Sequence, residues 1–110
     1  MIDWSRVREL RDEVGAEDFD EVVEIFLEEV EEIIEKLATA PSLASLEEDL
    51  HFLKGSAMSF GFVAFSRLCH DGELKSAAGQ ADQVDLAAVI DGFRNARSEF
   101  TSHLTQQLAA

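Results

Sequence analysis

The segment FDEVVEIFLEEVEEIIEKL, residues 19–37, decides the fold because its apolar residues recur with the period of an α-helix. They are spaced three and four residues apart, which places them on a single stripe of an amphipathic helix. Glu17 or Asp18 can begin this helix, and Pro41 ends it because proline cannot continue a helix. The stripe comprises Phe19, Val22, Val23, Phe26, Val30, Ile33, Ile34 and Leu37.

Four further stretches carry the same type of apolar stripe. They cover residues 2–14, 43–60, 65–72 and 86–108. We expect Ser42 to cap the helix that follows Pro41, with Leu43 facing inward and Gly61 as its natural end. Amphipathic helices joined by short links predict an all-α fold, an antiparallel up-down four-helix bundle with a short extra N-terminal helix.

The composition fits a single domain that spans residues 1–110, with 46% apolar residues to form one core. Cys69 is the only cysteine, which excludes a disulfide framework and a cysteine-based zinc site. The N-terminus lacks the features of a signal peptide, and no apolar run is long enough to cross a bilayer. We therefore expect a soluble, cytoplasmic protein, and a monomer because the stripes satisfy one another within the bundle.

The negative charge of the chain is concentrated in its first half. The net charge is −14, and residues 9–49 hold 16 acidic and 2 basic residues, whereas residues 50–110 hold 6 acidic and 5 basic ones. Such a chain repels nucleic acid and anionic membranes, so neither is expected as a partner. The simplest interpretation of the acidic block is a solvated helix face.

The stretch HFLKGSAMSFGF, residues 51–62, carries the candidate functional residues. His51 lies about 100° around the helix from the inward Leu50, which places it on the flank of the bundle. Lys54 and Gly55 follow on the same face. A glycine inside a helix costs roughly 1 kcal/mol relative to alanine, a cost most readily tolerated where a side chain would obstruct something. The three residues predict an anion the size of a phosphoryl group on His51, with another protein pressed against it.

The pattern H-x-L-K-G-[SA]-[AS] at residues 51–57 is followed by Gly61, by Leu-Cys at residues 68–69 and by Glu73. This arrangement resembles the histidine phosphotransfer (HPt) domain. Members of that family are helical bundles that accept a phosphoryl group on one exposed histidine from a receiver-domain aspartate and pass it to another receiver aspartate. The resemblance implies a phosphorelay intermediate whose partners are response-regulator receiver domains, including those of hybrid sensor kinases.

The resemblance assigns a role to each matching residue of the motif. His51 matches the phospho-accepting histidine, Lys54 the lysine that stabilises phosphoryl charge, and Gly55 the glycine that clears space. Glu73 falls where the family places a polar or acidic residue near the imidazole. We expect Glu73 to accept a hydrogen bond from the far ring nitrogen and fix its tautomer, the alternative being an ordinary surface acid.

Three apolar residues near the histidine, Met58, Phe62 and Phe52, form a candidate docking patch for the receiver. For the two phenylalanines the alternative is that they cap the core. The sequence departs from the family pattern at Leu50, where a small residue is common, and at Phe62, which replaces a small residue. It departs again at Gly72, which replaces an apolar residue before Glu73.

The resemblance further implies a phosphocarrier rather than an enzyme. The receiver domain supplies the magnesium ion, a lysine and the aspartate, so we expect no cofactor bound by this chain itself. The sequence contains neither a G-x-x-x-x-G-K-[ST] loop nor a glycine-rich nucleotide lid, so we expect no autokinase activity.

A di-metal carboxylate bundle is one competing interpretation, since Glu48 and His51 form the E-x-x-H fragment of such sites. These sites need a second E-x-x-H, and neither His70 nor His103 has a glutamate three residues earlier. We therefore expect no metal site.

A non-catalytic interaction module is the second competing interpretation. Such a bundle would bind a receiver or a kinase without relaying phosphate. Only the intact His51, Lys54 and Gly55 distinguish the relay protein from this module in the sequence.

Overall fold

The chain folds into helices whose apolar stripes meet in one shared hydrophobic core. The structure is a computed structural model and describes residues 1–109. Within that range the helices are α1 (Trp4–Val14), α2 (Ala16–Thr39), α3 (Leu46–Ser59), α4 (Val63–Ala77) and α5 (Leu86–Leu108), with a 3₁₀ turn at Ala81–Gln83. These residues form no β-strand, which confirms the all-α prediction. None of these helices is long and apolar enough to span a bilayer.

The stripe of α2 supplies much of the core, as its period predicts. Val30 and Ile34 are completely buried, and Val22 and Ile33 lie at the edge of the core. The helix begins at Ala16, slightly before the predicted start, because the backbone of Gly15 turns there with φ of 90°. Tertiary packing of this apolar face provides most of the stability of such a helix.

The beginning of α3 differs from the prediction. Ser42 does not cap the helix and Leu43 does not face inward; its side chain is 52% exposed. The helix begins at Leu46, with Ser45 at the N-cap position. Lys36 explains the later start, because its Nζ atom lies 3.0 Å from Ser45 Oγ and so fixes Ser45 against the end of α2.

Phe62 lies in the aromatic centre of the core. Its ring is completely buried, with its centroid 5.2 Å from that of Phe26 and 5.2 Å from that of Phe100. The prediction that Phe62 belongs to a docking patch is therefore wrong, since no partner can reach this ring. Phe62 instead packs into the core beneath the α3–α4 turn, as the alternative interpretation predicts.

The N-terminal segment is fastened to the turn between α3 and α4. The backbone N–H of Asp3 donates to the carbonyl of Gly61 at 2.7 Å, and Arg6 Nε donates to the carbonyl of Ser59 at 3.1 Å. Ile2, which is buried, forms an isolated β-bridge with Phe62. These contacts join α1 to the corner from which the two helices of the site emerge.

Two departures from the family pattern compensate for each other between α3 and α4. A Cβ atom at Gly72 would lie 2.8 Å from Leu50 Cδ1 and 3.1 Å from Val84 Cγ1. The large leucine on α3 therefore occupies the space left by the missing side chain on α4. Interiors are close-packed, so this exchange of volumes keeps the helices near each other at the level of His51.

Gly61→Ala should destabilise the fold more than Gly79→Ala. Both glycines have positive φ, 74° and 78°, a conformation that costs an L-residue about 1–2 kcal/mol. A Cβ at Gly61 would also lie 2.5 Å from the rigid carbonyl oxygen of Asp3, whereas nothing lies within 4 Å of a Cβ at Gly79. We expect the Gly79 variant to lose about 1 kcal/mol and the Gly61 variant at least about 1 kcal/mol more in urea unfolding. Equal losses of unfolding free energy in the two variants would contradict the close contact between Gly61 and the backbone of Asp3.

Candidate functional site

His51 stands on the exposed flank of α3. Leu50 and Leu53, on either side of it in sequence, are completely buried and anchor the helix to the core. Because these two leucines face the core, the side of α3 that carries His51 faces the solvent. The His51 side chain is 69% exposed. The ring is therefore accessible to another protein, as the helical period predicts.

A carboxylate on α4 holds two side chains of α3 at once. Glu73 Oε2 lies 2.8 Å from His51 Nδ1, and Glu73 Oε1 lies 2.7 Å from Lys54 Nζ. Glu73 Oε1 is buried, and the Lys54 ammonium at 2.7 Å compensates for its loss of contact with water. The three side chains converge because the tight turn after α3 brings α4 back along it.

The charge on Glu73 is stabilised by these neighbours. The Lys54 ammonium beside the carboxylate lowers the pKa of Glu73 from its ordinary value, against an opposing effect of burial. The hydrogen bond with His51 lowers that pKa further. Glu73 is therefore an anion at neutral pH, and it can only accept hydrogen bonds.

The anionic carboxylate determines the tautomer of the neutral imidazole. An acceptor-only group at Nδ1 requires the proton to be on Nδ1, which leaves a lone pair on Nε2. His51 thus presents a nucleophilic nitrogen on a ring that is mostly exposed. The arrangement is that of a nucleophile oriented by a neighbouring carboxylate.

Gly55 leaves open space on the same face, one turn beyond His51. A Cβ atom at this position would have no heavy atom within 4 Å. Packing within this chain therefore does not demand a glycine here. The steric clearance that the sequence predicts for a partner stays a prediction, and the open space is compatible with it.

The remaining docking candidates differ in accessibility. The side chain of Met58 is 62% exposed and that of Phe52 is 40% exposed, so both can contact a partner. Their docking role stays a prediction, whereas Phe62 is excluded by its burial.

Cys69 lies beneath the site and is inert. Its side chain is completely buried, and burial, together with the negative charge of Glu73, raises the pKa of the thiol to about 12. A protonated thiol is a poor nucleophile and a poor metal ligand. The residue packs as a small hydrophobic side chain.

A groove of about 550 Å³ adjoins the site at Lys54. It is lined by residues of α1, α3 and α4, among them Arg6, Met58 and Arg67. The sequence does not predict this groove, because it depends on α1 reaching the α3–α4 corner across more than fifty residues of chain. Within residues 1–109, no group of three metal-ligating side chains comes together.

The helical bundle carries on its flank an exposed imidazole that a carboxylate orients, which is the arrangement that the sequence predicts for a phosphotransfer protein. The Hpt domain model matches residues 21–110 of this chain. "Phosphorelay protein LuxU" from Vibrio vulnificus strain YJ016 is 31% identical over 110 residues, which cover 93% of each chain. The protein of the same name from Vibrio cholerae serotype O1 is 35% identical over 94 residues, covering 82% of this chain and 80% of that one. No solved structure shows a significant match.

The chain belongs to the Hpt domain family. It is a phosphorelay intermediate, a carrier of phosphoryl groups rather than a catalytic enzyme. Segment 1–20, which includes α1, lies outside the match to the family model.

Gly55→Ala should raise the stability of the fold and slow phosphoryl transfer to a partner. Alanine is favoured over glycine in a helix interior by roughly 1 kcal/mol, and a Cβ at Gly55 has free space, so the variant should unfold at higher urea concentration. If the open face admits a receiver domain, the same variant should transfer phosphoryl groups more slowly. A variant with raised stability and unchanged transfer would show that the glycine clears no space for the partner.

Glu73→Gln should remove a pH-dependent contribution to stability. Because its neighbours hold the folded pKa of Glu73 below the ordinary 4.5, its charge stabilises the fold fully above about pH 4.5. That contribution is lost as the pH falls through the lowered pKa. The difference in unfolding free energy between wild type and variant should therefore be constant near neutrality and shrink in acid. Glu47→Gln, at an exposed residue of α3, is the control. A difference in unfolding free energy that does not change with pH would contradict the contacts of Glu73 with His51 and Lys54.

Proposed function

We propose that His51 accepts a phosphoryl group from a receiver-domain aspartate and passes it to the aspartate of another receiver. The observation that carries this proposal is the exposed ring held at Nδ1 by Glu73, with the Lys54 ammonium on the same carboxylate. Membership of the Hpt domain family supports the same chemistry.

The transfer needs no proton movement at the histidine. The Nε2 lone pair forms the N–P bond, and the electrons of the breaking P–O bond return to the receiver carboxylate. Nδ1 keeps its proton, so the ring becomes cationic, and the nearby Glu73 carboxylate stabilises that charge. Transfer onward is the reverse sequence, with the imidazole leaving as the same neutral tautomer.

Lys54 supplies positive charge near the phosphoryl group. Its ammonium is held by Glu73 at 2.7 Å, and one turn of α3 separates it from His51. Phosphoryl transfer depends mostly on positioning and on stabilisation of charge, which a fixed cation provides. The long, flexible stem allows the ammonium to approach a phosphoryl oxygen while it remains close to the carboxylate.

The receiver domain would bring the rest of the machinery. It holds the magnesium ion, its own lysine and the aspartate, and this chain needs no cofactor of its own. The absence of nucleotide-binding motifs from the sequence supports a carrier without autokinase activity. Receiver domains, including those on hybrid sensor kinases, are the proposed partners; nucleic acid and membranes are not.

The four long helices are proposed to run up and down in chain order, as one monomeric domain of the cytoplasm. The short links at residues 40–45, 60–62 and 78–85 favour antiparallel neighbours. The molecule measures 46 × 22 × 20 Å, which matches two helix diameters in each transverse direction.

A non-relaying interaction module is the alternative function. It would use the same surface, but it would have no need for an exposed nucleophile with a fixed tautomer. The free Nε2 on a ring that is 69% exposed favours the relay.

Incubation with a phosphorylated receiver domain should place an acid-labile, base-stable label on His51. His51→Gln should abolish the label while leaving the circular dichroism spectrum unchanged, because the ring is exposed and outside the core. His103→Gln, at an exposed histidine of α5, is the matched control and should keep the label. A label that persists in the His51 variant, or never forms in the wild type, would rule out the relay.

A further inference from the structure

The groove beside the site begins at the phospho-accepting residues and extends away from them. On α3, His51, Lys54 and Met58 follow one another at helical spacing on one face. On α4, the facing row includes Arg67 and Val63, and these line the groove together with Lys54 and Met58. Because a helix rises 1.5 Å per residue, Met58 lies about 10 Å along α3 from His51.

Most charges around the groove are already compensated within the chain. Arg6 pairs with Glu9 at 2.7 Å, and Lys54 pairs with Glu73. The Asp3 carboxylate accepts hydrogen bonds from the backbone N–H groups of Ser5 and Arg6 as the cap of α1. Arg6 and Asp3 therefore have little unbalanced charge to offer the surface of a partner, and the charge of Lys54 is directed to Glu73 and to the phosphoryl group proposed for His51.

Arg67 is the exception. Its side chain is exposed, and it forms no ion pair with any other part of residues 1–109. Near it in the groove lies the exposed thioether of Met58. Arginine and methionine are both enriched at protein interfaces. Although the chain has a net charge of −14, Arg67 favours a partner that brings an acidic side chain to the groove.

The position of the groove indicates the occupant. A partner that delivers an aspartate to His51 must cover the surface around it, and a typical interface of about 800 Å² per partner extends about 16 Å from its centre. The groove, about 10 Å away, falls within that footprint. The same partner therefore contacts both the imidazole and the groove.

We infer that the receiver domain docks into this groove with an apolar side chain on Met58 and a flanking carboxylate on Arg67. The inference rests on the proposed relay function. Arg67 is then a specificity-determining residue, which selects among receivers by charge without taking part in the transfer. A second copy of this chain, which also has acidic surfaces, is the competing occupant.

Kinetics of phosphoryl transfer test this inference. His51 of the full chain is loaded with phosphoramidate, a small donor that needs no docking, and offered to each purified receiver domain of the source organism. With the fastest acceptor, Arg67→Glu should raise KM roughly tenfold at low salt and leave kcat unchanged, and added salt should shrink the defect. Met58→Ala should raise KM by a few fold.

Two variants serve as matched controls. Arg94→Glu makes the same charge reversal at an exposed arginine of α5 that has no ion pair within the described chain. Leu43→Ala truncates an apolar residue that is 52% exposed and lies in the turn before α3. Both should leave KM unchanged. Equal effects of Arg67→Glu and Arg94→Glu would overturn the inference, as would an effect of Arg67→Glu on kcat alone.

Failure of the relay itself has a different signature. If wild-type His51 takes no phosphoryl group from phosphoramidate, or passes none to any receiver, the proposed function fails and the docking inference falls with it. If transfer is normal but insensitive to Arg67, only the docking inference fails. Light scattering completes the test, because a wild-type dimer that Arg67→Glu dissociates would assign the groove to a second copy and overturn the inference.

Discussion

The carboxylate of Glu73 is the constraint on which the site depends, because it holds His51 and Lys54 of α3 from a neighbouring helix. One oxygen fixes the tautomer of the imidazole and the other pairs with the ammonium. The nucleophile, its orienting group and the cation are therefore set by a single side chain. Oε1 is buried and Lys54 is its only charged partner, so separating the two would leave a buried charge unpaired. This cost keeps the ammonium near the ring.

The approach of α3 and α4 makes this bridge possible. Leu50 fills the space that Gly72 leaves, and Phe62 fills the core below the turn between the two helices. Gly61 gives that turn its positive φ and permits the close passage of Asp3. The N-terminal helix, outside the match to the family model, thereby supports the corner next to the functional surface.

The sequence predicts the part of the site that lies on one helix. The period of 3.6 residues places His51, Lys54, Gly55 and Met58 on one exposed face without knowledge of the rest. Glu73 lies on another helix, and its predicted position near the imidazole rests on the resemblance to a family rather than on local spacing. Its second contact, with Lys54, depends on side-chain geometry that no periodicity encodes.

Other features escape sequence reasoning for physical reasons. An apolar residue after a glycine turn can face either way, so the burial of Phe62 depends on the aromatic rings that surround it. The late start of α3 depends on Lys36 reaching Ser45, a contact between side chains of different elements. The groove depends on the meeting of α1, α3 and α4. The free charge of Arg67 becomes evident only from the ion pairs of Arg6 and Lys54, which line the same groove.

The most direct test of the account is a long-range ¹H–¹⁵N correlation spectrum of the His51 ring, recorded for the free and the phosphorylated protein. We expect a proton on Nδ1 of the neutral ring, its loss from this position in Glu73→Ala, and coupling to phosphorus at Nε2 after phosphorylation. A neutral ring protonated at Nε2, or phosphorus attached to Nδ1, would contradict it.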